Sequence, residues 1–209
     1  MKLKKIASLA LAGIMAVSML AGCKTGSSSN SNSTVVTPVD NSVVTYVNGE
    51  MDAKQKAILT FSSDATLQSL LEKVAGGLTA DTLKKADPDW LTGEAMTTIR
   101  ETLDASTQGF GDAFKLGGNS AGNGKDTTAV SVLVVPGKYT DEAMKEAVMS
   151  EIDEYVKVAN MPVDGWNGSK YYEYDYAGKI AVTKVESNDG DYSAYLIAIV
   201  VDQTVTERA

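Results

Sequence analysis

The segment "WNGSKYYEYDYAG", residues 166 to 178, carries four of the chain's nine tyrosines within six residues, beside Trp166. At the two-residue period of a β-strand, Tyr172, Tyr174 and Tyr176 point to one side and Tyr171, Glu173 and Asp175 to the other. Two uses fit that pattern. Exposed rings would make a ligand platform of Trp166, Tyr172, Tyr174 and Tyr176, stacking on sugars or peptides while nearby carboxylates take hydrogen bonds. Buried rings would instead pack a sheet face, since tyrosine is a favoured strand residue, with their hydroxyls reaching the rim. Glu173 and Asp175 form an acid pair by type, but the sequence shows no second wall of a cleft.

Other chemistries are narrowed by what is missing. The chain has no histidine, which removes Ser-His-Asp and Cys-His nucleophile pairs and histidine-bearing zinc sites. No Ser-x-x-Lys opens a helix, so a Ser-Lys dyad has no support. An enzyme built on this chain must use carboxylates, tyrosines, lysines or a hard metal. "ESNDGDY", residues 186 to 192, offers Glu186, Asn188, Asp189 and Asp191 as oxygen ligands. Its spacing departs from the calcium-loop pattern and lacks the closing glutamate, so it reads as a turn. "GGNSAGNG" has no Lys-Ser/Thr after its last glycine and is not a phosphate loop. The two aspartates of "ADPDW", residues 86 to 90, read as a helix stop and a solvated turn. The expectation is no catalytic residue, no metal and no cofactor.

One thiol remains. Cys23 is the only cysteine, so no disulfide can form within the chain. Upstream, Lys2, Lys4 and Lys5 precede an apolar run from Ile6 to Leu20, too short for a membrane span of ~20 residues and laid out as a secretory signal. The run ends in Leu20-Ala21-Gly22-Cys23, which resembles the lipobox of bacterial lipoproteins. That resemblance covers about the first 23 residues. It implies that diacylglyceryl, carrying acyl chains such as palmitate, is joined to the Cys23 thiol and that residues 1–22 are then removed. A thiol is a strong nucleophile for such alkylation, and two acyl chains meet the requirement for stable attachment to a bilayer. Residues 23–42 would then be the lipidated cysteine and a flexible Ser/Asn-rich tether, with too little apolar surface to offset chain entropy. Such tethers are common in lipoproteins of Gram-positive bacteria. The resemblance therefore implies a lipid-anchored protein on the extracytoplasmic face of the cell membrane.

The rest, residues 43–209, is long enough for a single domain with a proper core. Ser42 to Val47 is β-rich and stops at Asn48-Gly49. From Asp52 to Ala75 the pattern is helical, with Leu67, Leu70, Leu71 and Val74 on one face. A short segment around residues 80 to 86 follows. A second helix starts near Thr92, with Met96, Ile99 and Leu103 aligned. After a glycine-rich stretch at 115 to 126, Thr127 to Val135 reads as a central buried strand. Thr140 caps an amphipathic helix running to Ala159 whose stripe includes Met144, Val148, Ile152 and Tyr155. Strands 171–186 and 192–205 flank Asn188-Asp189-Gly190, a strong hairpin signal. The expected fold class is α+β: a mostly antiparallel sheet (strand, amphipathic helix, C-terminal hairpin) with a helical N-terminal half. The helix is expected to lie on one face of the sheet.

"VVTYVNGEMDAKQKAIL", residues 43 to 59, resembles the strand-turn-helix that opens the chaperone domain of extracytoplasmic parvulin-type foldases. Those domains carry active-site histidines, so the likeness implies at most a chaperone-like module without isomerase activity. The chain's formal charge of −8 argues against nucleic acid as a partner. The first 22 residues hold three of the 19 basic side chains and none of the 27 acidic ones, so their removal would leave the chain more acidic still. The leading expectation is a non-enzymatic binding or scaffolding domain at the cell envelope. It would be held to the bilayer by the Cys23 lipid and would meet an envelope protein or a glycan. The alternative is a carboxylate-dependent, glycan-active enzyme, recognisable by two acidic residues facing each other across a concave pocket.

Overall fold

Asn188, Asp189 and Gly190 close the turn around which the sheet is built. Gly190 sits at φ 77° and donates its amide to the Ser187 carbonyl at 2.8 Å, a conformation that costs a residue without Cβ little. The Asp189 carboxylate accepts from the Ser187 hydroxyl at 2.5 Å and from the Asp191 amide at 3.2 Å. The Ser187 hydrogen bond, with the Asp191 amide behind it, holds the Asp189 carboxyl below its usual range. The oxygen-rich stretch is therefore a self-satisfied turn. The computed structural model describes residues 34–39, 41–85, 88–106, 110–114, 124–166 and 169–208. Cys23, "GGNSA", Asp87 and Ala86 lie outside them, as do the signal and tether through residue 33.

Fourteen elements can be placed on this frame in chain order. They begin with β1 (Thr34–Pro38), α1 (Ser42–Glu50), α2 (Ala53–Ile58), β2 (Phe61–Ser63), α3 (Ala65–Gly76), α4 (Ala80–Lys85), α5 (Pro88–Thr102) and α6 (Phe110–Ala113). There follow β3 (Thr127–Pro136), α7 (Asp141–Tyr155), a 3-10 turn at Val158–Asn160, β4 (Asp164–Trp166), β5 (Tyr171–Ser187) and β6 (Ser193–Arg208). The fold class is α+β with a helical N-terminal half, as the periodicities predict. The sheet order is β1-β5-β6-β3. One edge of the long β5 pairs with β6, and the other is shared along its length by β1, β2 and β4. Among the described residues only the β2–β5 pairing is parallel.

Helices cover both faces of the sheet, with α7 on one of them as expected. Ile197, Ile199 and Val201 of β6 join Val43 and Val47 of α1 and Met144, Val148 and Ile152 of α7 in one core. Leu196, Ala198 and Val200 face the other way, onto Leu67 and Leu71 of α3 and Ala95 and Ile99 of α5. Alternate side chains of one strand thus feed two cores, which explains the unbroken apolar run in β6. β3 is buried for the same reason although it stands last in the sheet order, not at its centre.

Further expectations are corrected. Ser42–Val47 is helix, because Val43 and Val47, four residues apart, both reach the core. Asn48 does not turn the chain; its side chain donates to the Phe61 carbonyl and accepts from the Phe61 amide, at 2.8 and 2.9 Å. The parvulin-like segment is accordingly helix, bend, helix. The predicted tether overruns the domain, since Thr34–Pro38 is a strand paired with Thr183–Ser187. The helical stretch from Asp52 is split by β2, after which Asp64 caps α3 through the Leu67 amide at 2.7 Å. Finally, α7 ends at Tyr155, which is exposed and not on the buried stripe.

Candidate functional site

The end of the β5–β6 hairpin far from its turn projects past both cores, and there its two faces differ. Tyr172 and Tyr174 are buried, and Tyr176 is half-buried against them. Gly124, at φ 63°, lies so close to the Tyr172 ring that an added Cβ would sit 2.7 Å from it. Tyr176 donates to the Pro162 carbonyl and accepts from Gln203 Nε2, both at 2.8 Å. Its ring meets Phe114 edge-on at 5.5 Å. Burial pushes the Tyr176 phenol up to about 12. These three tyrosines therefore pack the sheet and hold the segment after α7 against it. They do not form a platform with Trp166.

Trp166 takes part in a different arrangement. β4 sets it directly opposite Tyr171, and β6 sets Arg208 opposite Tyr171 on the far side. Directly paired residues of antiparallel strands share a face, so the row Trp166, Tyr171, Arg208 points away from Tyr172. The two rings touch, with centroids 4.7 Å apart and planes tilted by 42°. They are 53% and 58% exposed. In the next row Asp164 lies opposite Glu173, and the Glu173 carboxylate forms an ion pair with Arg208. Further along, Asp175, Ala177 and Thr204 are all exposed on the same face. Among the described residues no helix lies on this half of the sheet face.

The face ends at a cavity of about 230 Å³ beside the N-terminus of α3, lined by Asp64, Thr128, Lys179 and Asp202 together with Leu67, Leu103 and Val200. Lys179 Nζ lies 2.9 Å from Asp202 Oδ2 and 3.9 Å from Asp64 Oδ2. Thr128 donates to the other Asp202 oxygen at 2.6 Å. Four strands or helix ends thus converge: Thr128 and Asp202 are direct β3–β6 partners, Lys179 is on β5, and Asp64 caps α3. The hydrogen bond from Lys179 to Asp202 raises the ammonium above its usual range, against the opposing effect of burial. A lysine so held is protonated and serves as neither base nor nucleophile. Two aspartates do line a concave pocket, which is the arrangement an acid-base enzyme needs, but Lys179 occupies the space between them.

These four residues are scattered between 64 and 202 and carry no motif, so the sequence reading missed them. Their one legible signal is the hairpin register. The Asn188-Gly190 turn places Lys179 across from Val200, and so diagonal to Asp202. Among the described residues no group of three or more acidic or sulfur ligands converges as a metal site. No family model, curated protein or solved structure matches the chain.

Proposed function

We propose that this is a lipid-anchored protein of the cell envelope whose domain binds or scaffolds another envelope component, and that it is not a catalyst. The observation that carries the binding half is the Trp166–Tyr171 pair, two touching rings left more than half exposed on the sheet. Exposed aromatic surface of this kind marks contact sites more often than it occurs by chance. Tyr171 is paired with a strand on each side and Trp166 on one, and rings with only two χ angles have little side-chain entropy to lose on meeting a partner. The anchoring half rests on the lipobox-like Leu20-Ala21-Gly22-Cys23. Among the described residues no helix is long and apolar enough to cross a membrane, which is compatible with attachment through Cys23. The proposed extracytoplasmic location rests on the same signal.

The rival reading, a carboxylate-dependent glycan-active enzyme, is favoured by Asp64 and Asp202 sharing a cavity. It is opposed by the lysine that bridges them. Anchoring is tested by feeding cells radiolabelled palmitate and fractionating them. The full chain is expected to carry label and to sediment with membranes, while Cys23→Ala is unlabelled and released. Label or membrane retention in Cys23→Ala contradicts the anchor.

A further inference from the structure

We infer that the uncovered face of the hairpin is a track for a neutral glycan chain, an inference that rests on the binding reading above. The face runs from the stacked Trp166 and Tyr171 to Lys179, eight residues along β5, or ~26 Å at the rise of a strand. Its chemistry changes in a definite way along that length. Rings stand at one end. Carboxylates, hydroxyls and a small residue follow, with Asp175, Ala177 and Thr204 exposed in the middle.

A pyranose ring matches both parts. Its C–H face lies on an aromatic ring, and its hydroxyls donate to carboxylates and exchange hydrogen bonds with threonine, which both donates and accepts. The 42° tilt means that Trp166 and Tyr171 do not form one flat plate. Each ring offers its own face to a sugar unit.

A protein partner fits less well. An aromatic side chain buries ~150–250 Å², so two rings a little over half exposed offer on the order of 200–250 Å². A standard protein interface takes about 800 Å² from each side, built around an apolar centre. The remainder of this face is polar and cannot supply that centre. Charge selects further. Glu173 is paired with Arg208, and Asp164 and Asp175 leave the face acidic, so a polyanionic polymer is repelled.

The test uses the full-length chain in mild detergent with three probes: chitohexaose, cellohexaose and an anionic polyphosphate. Measured by calorimetry, at least one neutral hexasaccharide should bind, and polyphosphate should not. The double variant Trp166→Ala/Tyr171→Ala should weaken binding by roughly tenfold or more. Ala177→Arg, which blocks the middle of the track and leaves both rings in place, should do the same without relying on the aromatic variant. Thermal unfolding of all three proteins checks that each is folded. Absence of binding to both hexasaccharides overturns the inference, as does binding that survives both variants, or preference for polyphosphate. A parallel arm measures retention on crude Gram-positive envelopes. If wild type is retained there and the variants are not, yet neither hexasaccharide binds, the glycan inference fails while the binding reading stands.

Discussion

Replacing Gly178 by alanine should strike the contact that seats β2 on the sheet. A Cβ built on Gly178 falls against the ring of Phe61, with Cε1 at 2.6 Å and Cγ at 2.8 Å. Contacts below 3 Å force movement, and Phe61 is only 2% exposed, so the ring has no free space to swing into. Overpacking of this kind costs about 1–3 kcal/mol. Phe61→Ala alone should cost about 3–5 kcal/mol, from lost burial and the cavity left behind. In the double variant the new Cβ enters space that the ring has vacated, so the overpacking cost largely disappears. The two effects should then fall short of additivity by about 1–2 kcal/mol. Urea denaturation of the four proteins measures this cycle. Additivity to within about 0.5 kcal/mol would refute the packing argument. The contact also matters to the site, because β2 leads directly into Asp64, whose carboxylate caps α3 and approaches Lys179.

Two other perturbations probe the core and a half-buried acid. Ile152 of α7 is fully buried, so Ile152→Asp leaves a carboxylate without a partner and should lower the melting temperature by about 10 °C or more; an unchanged value would show that the α7 stripe is not core. Glu151 accepts from the Ser131 hydroxyl at 2.6 Å, and burial pushes its carboxyl above the usual range despite that bond. The folded state thus holds the proton longer than the unfolded chain. This contribution to stability is present at low pH and is lost as pH rises from about 4 through the raised value. Glu151→Gln removes that loss, so the gap in melting temperature between the two proteins should shift in the variant's favour over that window, and parallel curves would contradict it.

Much of the architecture could be read from local pattern. The Asn188-Asp189-Gly190 turn, the doubly apolar run in β6 and the Met144/Val148/Ile152 stripe each carry their own periodicity or turn chemistry. Where the reading failed, non-local contacts overrode local preference. Ser42–Val47 has strand-forming residues but becomes helix because Val43 and Val47 share a buried face. Thr34–Pro38 looks like tether and is a strand only because β5 offers an edge. The period of two placed Tyr172, Tyr174 and Tyr176 together correctly, yet period alone does not say which face is covered. The covering residues, Gly124, Phe114 and Pro162, come from elsewhere in the chain. Trp166 likewise joins Tyr171 through the register of the three-residue β4, which is too short to show any period. The Lys179 cluster required the register of three strands and the cap of a helix before its members met.

The distinction between binding and catalysis is the centre of this account, and one incubation addresses it. Full-length protein is mixed with purified, polymer-stripped peptidoglycan; the pellet is assayed for bound protein and the supernatant for newly released reducing ends. The account predicts protein in the pellet, displaced by Trp166→Ala/Tyr171→Ala, and no reducing ends above a protein-free control. Reducing ends that accumulate with time and vanish in Asp202→Asn would contradict it, and would place the chemistry in the Asp64–Lys179–Asp202 cavity instead.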